Sequence, residues 1–416
     1  WSAGAVWHVS EETFMEVVRP VLSRLSLRVA TGYTGNINKT VKPNLMMKYY
    51  KNFRISDDEN YRMGYINNAP NPKLRWEKTR DVKVALDFGL WKDRINGIVE
   101  AYWRKSKDCV TSEYVPVTTG FFNQSYNTSV LQNNGVEFSL SVAVLKSKDY
   151  NLSVSANVAW NQNKLKKYNS PNTSLALDKY VGYPMGAVFS GKYEGIDPET
   201  GMYKFKLRPD AVTNKDGYLR EPNNYYYYLG TSVAPFTGGF NLNFSYKNIG
   251  LSVGGSYSVK AKMVDNIESP AGYELLSGSK LESIPTPHND LYRNHLNVKR
   301  EVRNRWTPEN RTGVKYPRLI DAYGKKLGLD LTNPTLTTIT RGALLEDISY
   351  LRINTIALSY SLPQRVLERI NFSSAALNLT LNNFFTITKY SGIDPEVPGA
   401  TYPVSRSVTI GLNVGF

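Results

Sequence analysis

Residues 404–416 read VSRSVTIGLNVGF, and the period of this stretch decides the fold. Val404, Val408, Ile410, Leu412, Val414 and Phe416 share one face, with Arg406 as the single exception. Ser405, Ser407, Thr409, Gly411, Asn413 and Gly415 share the other. A strand turns successive side chains to opposite sides, so this is a strand with one oily face and one small, polar face.

Working backwards, the same alternation returns. Leu377, Leu379, Leu381, Phe385 and Ile387 alternate with Asn378, Thr380, Asn382, Thr386 and Thr388. Tyr150, Leu152, Val154, Ala156, Val158 and Trp160 alternate with Asn and Ser, and Val136, Phe138, Leu140, Val142 and Val144 form a similar row. Further rows are Phe240, Leu242, Phe244 and Tyr246; Leu251, Val253, Tyr257 and Val259; Val82, Val84, Leu86, Phe88 and Leu90; and Leu25, Leu27, Val29 and Tyr33. Segments 95–104 and 348–362 are strand-like with a slipped phase, as β-bulges would produce.

These runs approach the ~9–11 residues with which a tilted strand crosses a bilayer. Many end in aromatics (Tyr402 and Phe416, Tyr150 and Trp160, Tyr246, Tyr257, Trp91, Trp103), as the interfacial girdles of a membrane barrel do. A large soluble β-sandwich gives the same alternation, and the connections separate the two. Short links at 91–94, 146–149 and 247–250, with a medium one at 363–373, alternate with long ones at 35–78, 105–132, 164–236, 263–344 and 389–402. Short turns on one side and long loops on the other are the outer-membrane pattern, whereas soluble domains rarely carry several such loops.

The reading is therefore all-β, an antiparallel transmembrane β-barrel. Its expected strands are 1–9, 22–34, 79–91, 94–104, 133–145, 151–163, 237–247, 250–262, 345–362, 374–388 and 403–416. Bacterial single-chain barrels have even strand counts, and open edges are not tolerated in lipid. Eleven strands thus need partner strands, from an N-terminal half or another chain.

Composition agrees. The 416 residues include 29 Tyr and 30 Gly but one Cys and three His, a mix that disfavours long helices. Cys109 alone cannot form an intrachain disulfide. No run nears the ~20 apolar residues of a membrane-spanning helix. A mean hydropathy of -0.39 excludes a helical membrane protein but not a barrel, whose inner face is polar. The stretch WSAGAVWHV at the start has neither the charged nor the apolar region of a signal peptide.

Several ordered motifs then carry a resemblance. They are NAPNPKLRWEKTRDVKVALDFGLWKDRINGIVEAYWRKSKD (68–108), LQNNGVEFSL (131–140), RWTPEN (305–310) with YPRL (316–319), YLRINTIALSYSLP (350–363), NNFFTITKYSGIDPEV (382–397) and the terminal Phe416. Together they resemble the C-terminal half of a SusC/RagA-type TonB-dependent outer-membrane transporter. The resemblance implies the last eleven strands of a 22-stranded barrel filled by a plug. The plug domain and the TonB box are not found within these residues. It further implies a periplasmic C-terminus, long loops outside, a SusD-like surface lipoprotein over the mouth, and TonB acting through the plug.

Candidate contact residues lie in the long links. YEGIDPE (193–199) and YSGIDPE (390–396) are near-identical. Asp197, Glu199, Asp394 and Glu396 suit tight Asx-type turns, with a calcium site as the sharper alternative. Phe121, Phe122, Tyr126, Tyr225, Tyr226, Tyr227 and Tyr228 are loop aromatics able to stack on sugars or pack on peptide side chains, or to hold their own loops together. Lys299, Arg300, Arg303 and Arg305 form a basic cluster suited to lipopolysaccharide phosphates or a partner salt bridge, or to a solvated surface; an exterior loop makes nucleic acid an unsuitable ligand.

No catalytic constellation stands out. His288 and His295 lie in a loop without Cys, His8 is distant, and neither a phosphate-binding Gly loop nor a nucleophile elbow is present. No metal and no cofactor are expected, and the chain is read as a non-enzyme. The expected function is TonB-dependent import of a glycan or oligopeptide across the outer membrane. The alternatives are a non-transporting scaffold barrel of a surface complex and a soluble β-rich glycan-binding module.

Overall fold

The computed structural model describes residues 1–37, 39, 41, 44, 46–49, 53–56, 59–61, 64–121, 123–168, 180–199, 201, 203–210, 225–264, 303–315, 341–398 and 402–416. Eleven strands form one antiparallel meander, each bonded to its neighbours in chain order. They are β1 (Ser2–Trp7), β2 (Leu22–Asn36), β3 (Glu77–Leu90), β4 (Ile95–Tyr114), β5 (Asn123–Lys146), β6 (Tyr150–Lys167), β7 (Phe236–Tyr246), β8 (Ile249–Val259), β9 (Tyr350–Ser361), β10 (Ser374–Thr388) and β11 (Ser407–Gly415). Among the described residues, the outer edges of β1 and β11 meet no further strand.

The two faces separate as the alternation dictates. In β11, Val408, Ile410 and Leu412 are 57%, 73% and 67% exposed. They pair with Leu381, Leu379 and Leu377 of β10, so whole rows of branched aliphatics lie open. A water-soluble sandwich would bury such rows; among the described residues, nothing covers them. The opposite face carries Asn, Ser, Thr and Gly, joined by cross-strand bonds such as Ser252 Oγ to Asn243 (2.8 Å) and Thr355 Oγ1 to Asn382 (3.1 Å).

Charge on the polar face concentrates at β2–β4. Arg28 pairs with Asp87 (2.6 Å), Lys83 with Glu100 (3.0 Å) and Arg104 with Asp81 (3.2 Å). Each pair joins adjacent strands at direct or diagonal register, where opposite charges support a sheet.

The phase slips have two causes. In β9 the register jumps between Ile353 and Thr355, a bulge at Asn354 that moves Ile356, Leu358 and Tyr360 onto the apolar face. The register of 95–104 is continuous instead. There, side-chain size alone disturbs the pattern, because Gly97 lies opposite Phe88 and a Cβ on Gly97 would sit 2.2 Å from the Phe88 ring. The apolar position is filled from the neighbouring strand.

One expected loop needs correcting. Segment 105–132 is mostly strand: β4 runs 20 residues and β5 runs 24, leaving only 115–122 as their connection. At ~3.3 Å per residue β5 spans about 80 Å, well beyond a bilayer crossing. The surplus projects as a ribbon at the long-link edge, and Thr and Ser there kept the apolar period from revealing it. The expected strand 345–362 is also split, since Leu345–Asp347 pairs with Lys262–Val264 outside the main sheet.

Candidate functional site

The chemistry-bearing side chains gather at the long-link edge. Arg352 projects from β9 on the polar face, opposite Ser256 and Thr386, and is 3% exposed. Its Nη2 donates to both carboxylate oxygens of Asp394 (2.6 and 2.7 Å), its Nη1 to Glu396 (2.7 Å) and its Nε to Thr386 (3.2 Å). One strand guanidinium therefore holds the 390–396 segment against the sheet. Ser391 adds bonds from its N–H (2.8 Å) and Oγ (2.5 Å) to Glu346. Tyr390 packs with Ala261 and Ile348 in a small buried cluster. Burial alone pushes the Asp394 carboxyl up, but Arg352 and the N–H groups of Glu396 and Val397 outweigh it and hold the pKa below the usual carboxylate range.

Both GIDPE segments form the same turn. The Oδ1 of Asp197 accepts the Glu199 N–H (2.8 Å), and the Oδ1 of Asp394 accepts the Glu396 N–H (2.9 Å). Their settings differ. The first turn receives the indole N–H of buried Trp306 on the Pro198 carbonyl (2.9 Å), tying in segment 303–315. Among the described residues, no group of three or more His, Cys, Asp or Glu is arranged to hold a metal.

The tyrosine run divides its work. Tyr225 stands in the turn just before the strand Tyr226–Thr231, which pairs with Ala187–Gly191. Tyr226 opposes Gly191, and Tyr227 donates to the Leu207 carbonyl (2.9 Å). Tyr228 packs on Tyr183 (4.9 Å between centroids) and Phe189 (5.7 Å), and Phe189 meets Tyr180 edge-on (5.0 Å). Burial pushes the Tyr228 hydroxyl pKa up. Tyr126 lies on β5 and bonds Gln124; Phe121 sits in the 115–122 turn, half-buried. These two are not brought to the tyrosine cluster by any contact described.

Phe122, Lys299, Arg300, His288 and His295 lie outside the described residues. Arg303 is exposed and Arg305 half-buried. His8 bonds Ser26 (3.0 Å) beside β2. The sequence alone gives Arg352 and Trp306 no role as site residues. The available signal for Arg352 is that it is the one charge on a strand face that otherwise carries Tyr350, Thr355, Ala357, Ser359 and Ser361.

The family described as "TonB dependent receptor-like, beta-barrel" matches residues 1–275. The chain belongs to this family. The TonB-dependent receptor SusC of Bacteroides thetaiotaomicron is 26% identical over 441 residues, covering 99% of this chain and 39% of that protein. TonB-dependent receptor P26 of Formosa agariphila is 25% identical over 457 residues, covering 100% and 42%. Among solved structures, the RagAB peptide transporter aligns with a TM-score of 0.76 at 26% identity, covering 100% of this chain and 43% of that one. The chain thus spans about two fifths of the relatives it matches. As a TonB-dependent receptor barrel of the SusC/RagA type it is an outer-membrane protein. Its apolar face meets lipid and its polar face the lumen, which places Arg352 and its turn inside the wall.

Proposed function

We propose that this chain is the C-terminal part of a TonB-dependent importer for a glycan or oligopeptide, forming half of a 22-stranded plugged barrel. The free edges of β1 and β11 pair with strands outside these residues. Short turns face the periplasm and long links the exterior, where a SusD-like lipoprotein caps the mouth. The chain supplies wall, lumen lining and ligand-facing loops, and catalyses nothing.

The observation that carries this reading is the Arg352 anchorage. A scaffold needs only a lipid-facing wall, whereas here a buried lumenal arginine draws a loop segment onto the inner surface. The experiment is uptake by cells carrying the full-length protein in the outer membrane, offered labelled oligopeptides and oligosaccharides with and without an intact proton-motive force. Energy-dependent accumulation of either class is expected. Absence of both, with normal membrane insertion, would favour the scaffold reading.

A further inference from the structure

We propose that a cavity between the extended β4–β6 wall and the tyrosine hairpin is a subsite for an apolar side chain of a peptide cargo. It rests on the import reading above and narrows it from glycan or peptide to peptide.

The cavity holds about 570 Å³. Leu131 and Leu165 are cross-strand partners of β5 and β6 and form the floor, on the same face as Asn133 and Asn163. Met185, Ala187 and Val188 form the roof, with Tyr180 at the aromatic cluster. The roof is fixed to the wall: Leu165 N–H donates to the Tyr183 carbonyl (2.8 Å) and Gly182 N–H to the Leu165 carbonyl (2.7 Å). Met185 N–H donates to Asn163 (2.8 Å), whose amide donates to Asn133 (2.6 Å). The space is therefore held open between two bonded layers.

Its lining selects by chemistry. Among the described residues, no charged side chain lines it, so an ionic group entering would lose hydration without a partner from them. Of its lining hydroxyls, those of Thr111 and Ser232 are already bonded, to Thr128 (2.7 Å) and to the Gly186 carbonyl (3.2 Å), while Ser112, Tyr168 and Tyr180 also line it beside the aliphatic floor and roof. A sugar ring would bring several hydroxyls against Leu, Val, Ala and Met and leave them unsatisfied. A leucine or phenylalanine side chain has no such cost.

A second cavity of about 490 Å³ adjoins the first and shares Met185 and Gly186 with it. Asn133, Asn161, Gln162 and Asn163 line this neighbour with one charged residue, Lys164, beside Tyr183 and Tyr228. Asn163 is engaged with Met185 and Asn133, and Asn161 accepts from Tyr102 (3.1 Å); each amide keeps a second donor hydrogen and acceptor lone pair, which is what a peptide main chain requires. One lobe thus suits an apolar side chain and the other its backbone.

The test uses the purified full-length transporter and neutral pentapeptides acetyl-Gly-Ala-X-Ala-Gly-amide, with X as Leu, Phe, Ser or Asp. Affinity is read by calorimetry. Alkylation of Cys109, which lines the same cavity, is followed by mass spectrometry of its peptide. The Leu and Phe peptides are expected to bind about tenfold or more tightly than the Ser and Asp ones, as hydrophobic pockets discriminate. They should also slow Cys109 alkylation while the polar peptides leave it unchanged. Val188→Trp, which fills the cavity, should abolish the difference. Equal binding of all four peptides, or unchanged Cys109 alkylation with the Leu peptide, overturns the subsite and leaves the import reading intact. Uptake of oligosaccharides with no binding by any of the four peptides overturns the subsite and the peptide arm together.

Discussion

Arg352 and Asp394 stand 42 positions apart in sequence and are joined by two hydrogen bonds of 2.6 and 2.7 Å, both side chains being almost wholly buried. The strand carries the cation and the following long link carries the anion. Folding β10 back against β9 brings them together. This makes the Asp394 turn part of the wall and gives it consequences that measurement can reach.

Removing one partner of a buried ion pair strands the other. Asp394→Ala should destabilise the docked segment by about 3–5 kcal/mol. Glu396 bonds the same guanidinium from a side chain that is 44% exposed. Glu396→Gln should therefore cost only about 0.2–1 kcal/mol. Amide hydrogen exchange over 390–397 at fixed pH reads both; equal acceleration in the two variants would contradict the arrangement.

The same carboxylate sets a pH limit. Its pKa in the folded protein is lowered, so its stabilisation is fully present above the ordinary aspartate value of about 3.9. That contribution is lost as pH falls through the lowered folded value. Docking should be unchanged from pH 7 to pH 5 and weaken only below about 4. A spin-label distance between Val397 and Val117, in a Cys109→Ser background, follows it. Release already at pH 6 would show that another group controls the segment.

Ile410 and Gly411 adjoin in β11 and face opposite ways. Ile410 is 73% exposed, and a Cβ on Gly411 meets nothing within 4 Å. In a soluble protein Ile410→Arg would be nearly neutral. Facing lipid, it should cost about 2–4 kcal/mol near the bilayer midplane, while Gly411→Arg in the lumen is tolerated. Heat-modifiable mobility of outer-membrane fractions gives the folded yield of each. Equal yields would argue against lipid contact on that face.

The two GIDPE turns need glycine for different reasons. Gly195 has φ +126° with open space around it, so Gly195→Ala meets backbone strain of about 1–3 kcal/mol whatever its neighbours. A Cβ on Gly392 would lie 2.3 Å from the Tyr390 ring. Gly392→Ala should thus couple to Tyr390→Leu by about 0.5–3 kcal/mol in a double-mutant cycle. Gly195→Ala with Tyr193→Leu should be additive. Thermal unfolding in detergent supplies the four corners of each cycle.

Period two was readable in the chain because each strand places one face in hydrocarbon and one in water, and that demand is written residue by residue in segments such as 404–416. Strand number and antiparallel order followed from it. So did the Asx turns, whose hydrogen bonds lie within three residues. The ribbon at 105–132 escaped because, beyond the bilayer, no medium forces the two faces to differ.

What tertiary structure alone decided was contact between distant segments. Arg352 reads as an irregular charge in a polar row until Asp394 and Glu396 arrive beside it. Trp306 reads as a loop aromatic until its indole meets Pro198. Tyr228 became a packing residue of a roof, and Leu131 with Leu165 the floor of a cavity, only when β5, β6 and the 187–191 hairpin were assembled. Alternation is a local response to solvent on either side of a strand, and sequence records it. Ion pairs and cavities depend on which links fold back over which strands, and a one-dimensional pattern holds no measure of that distance.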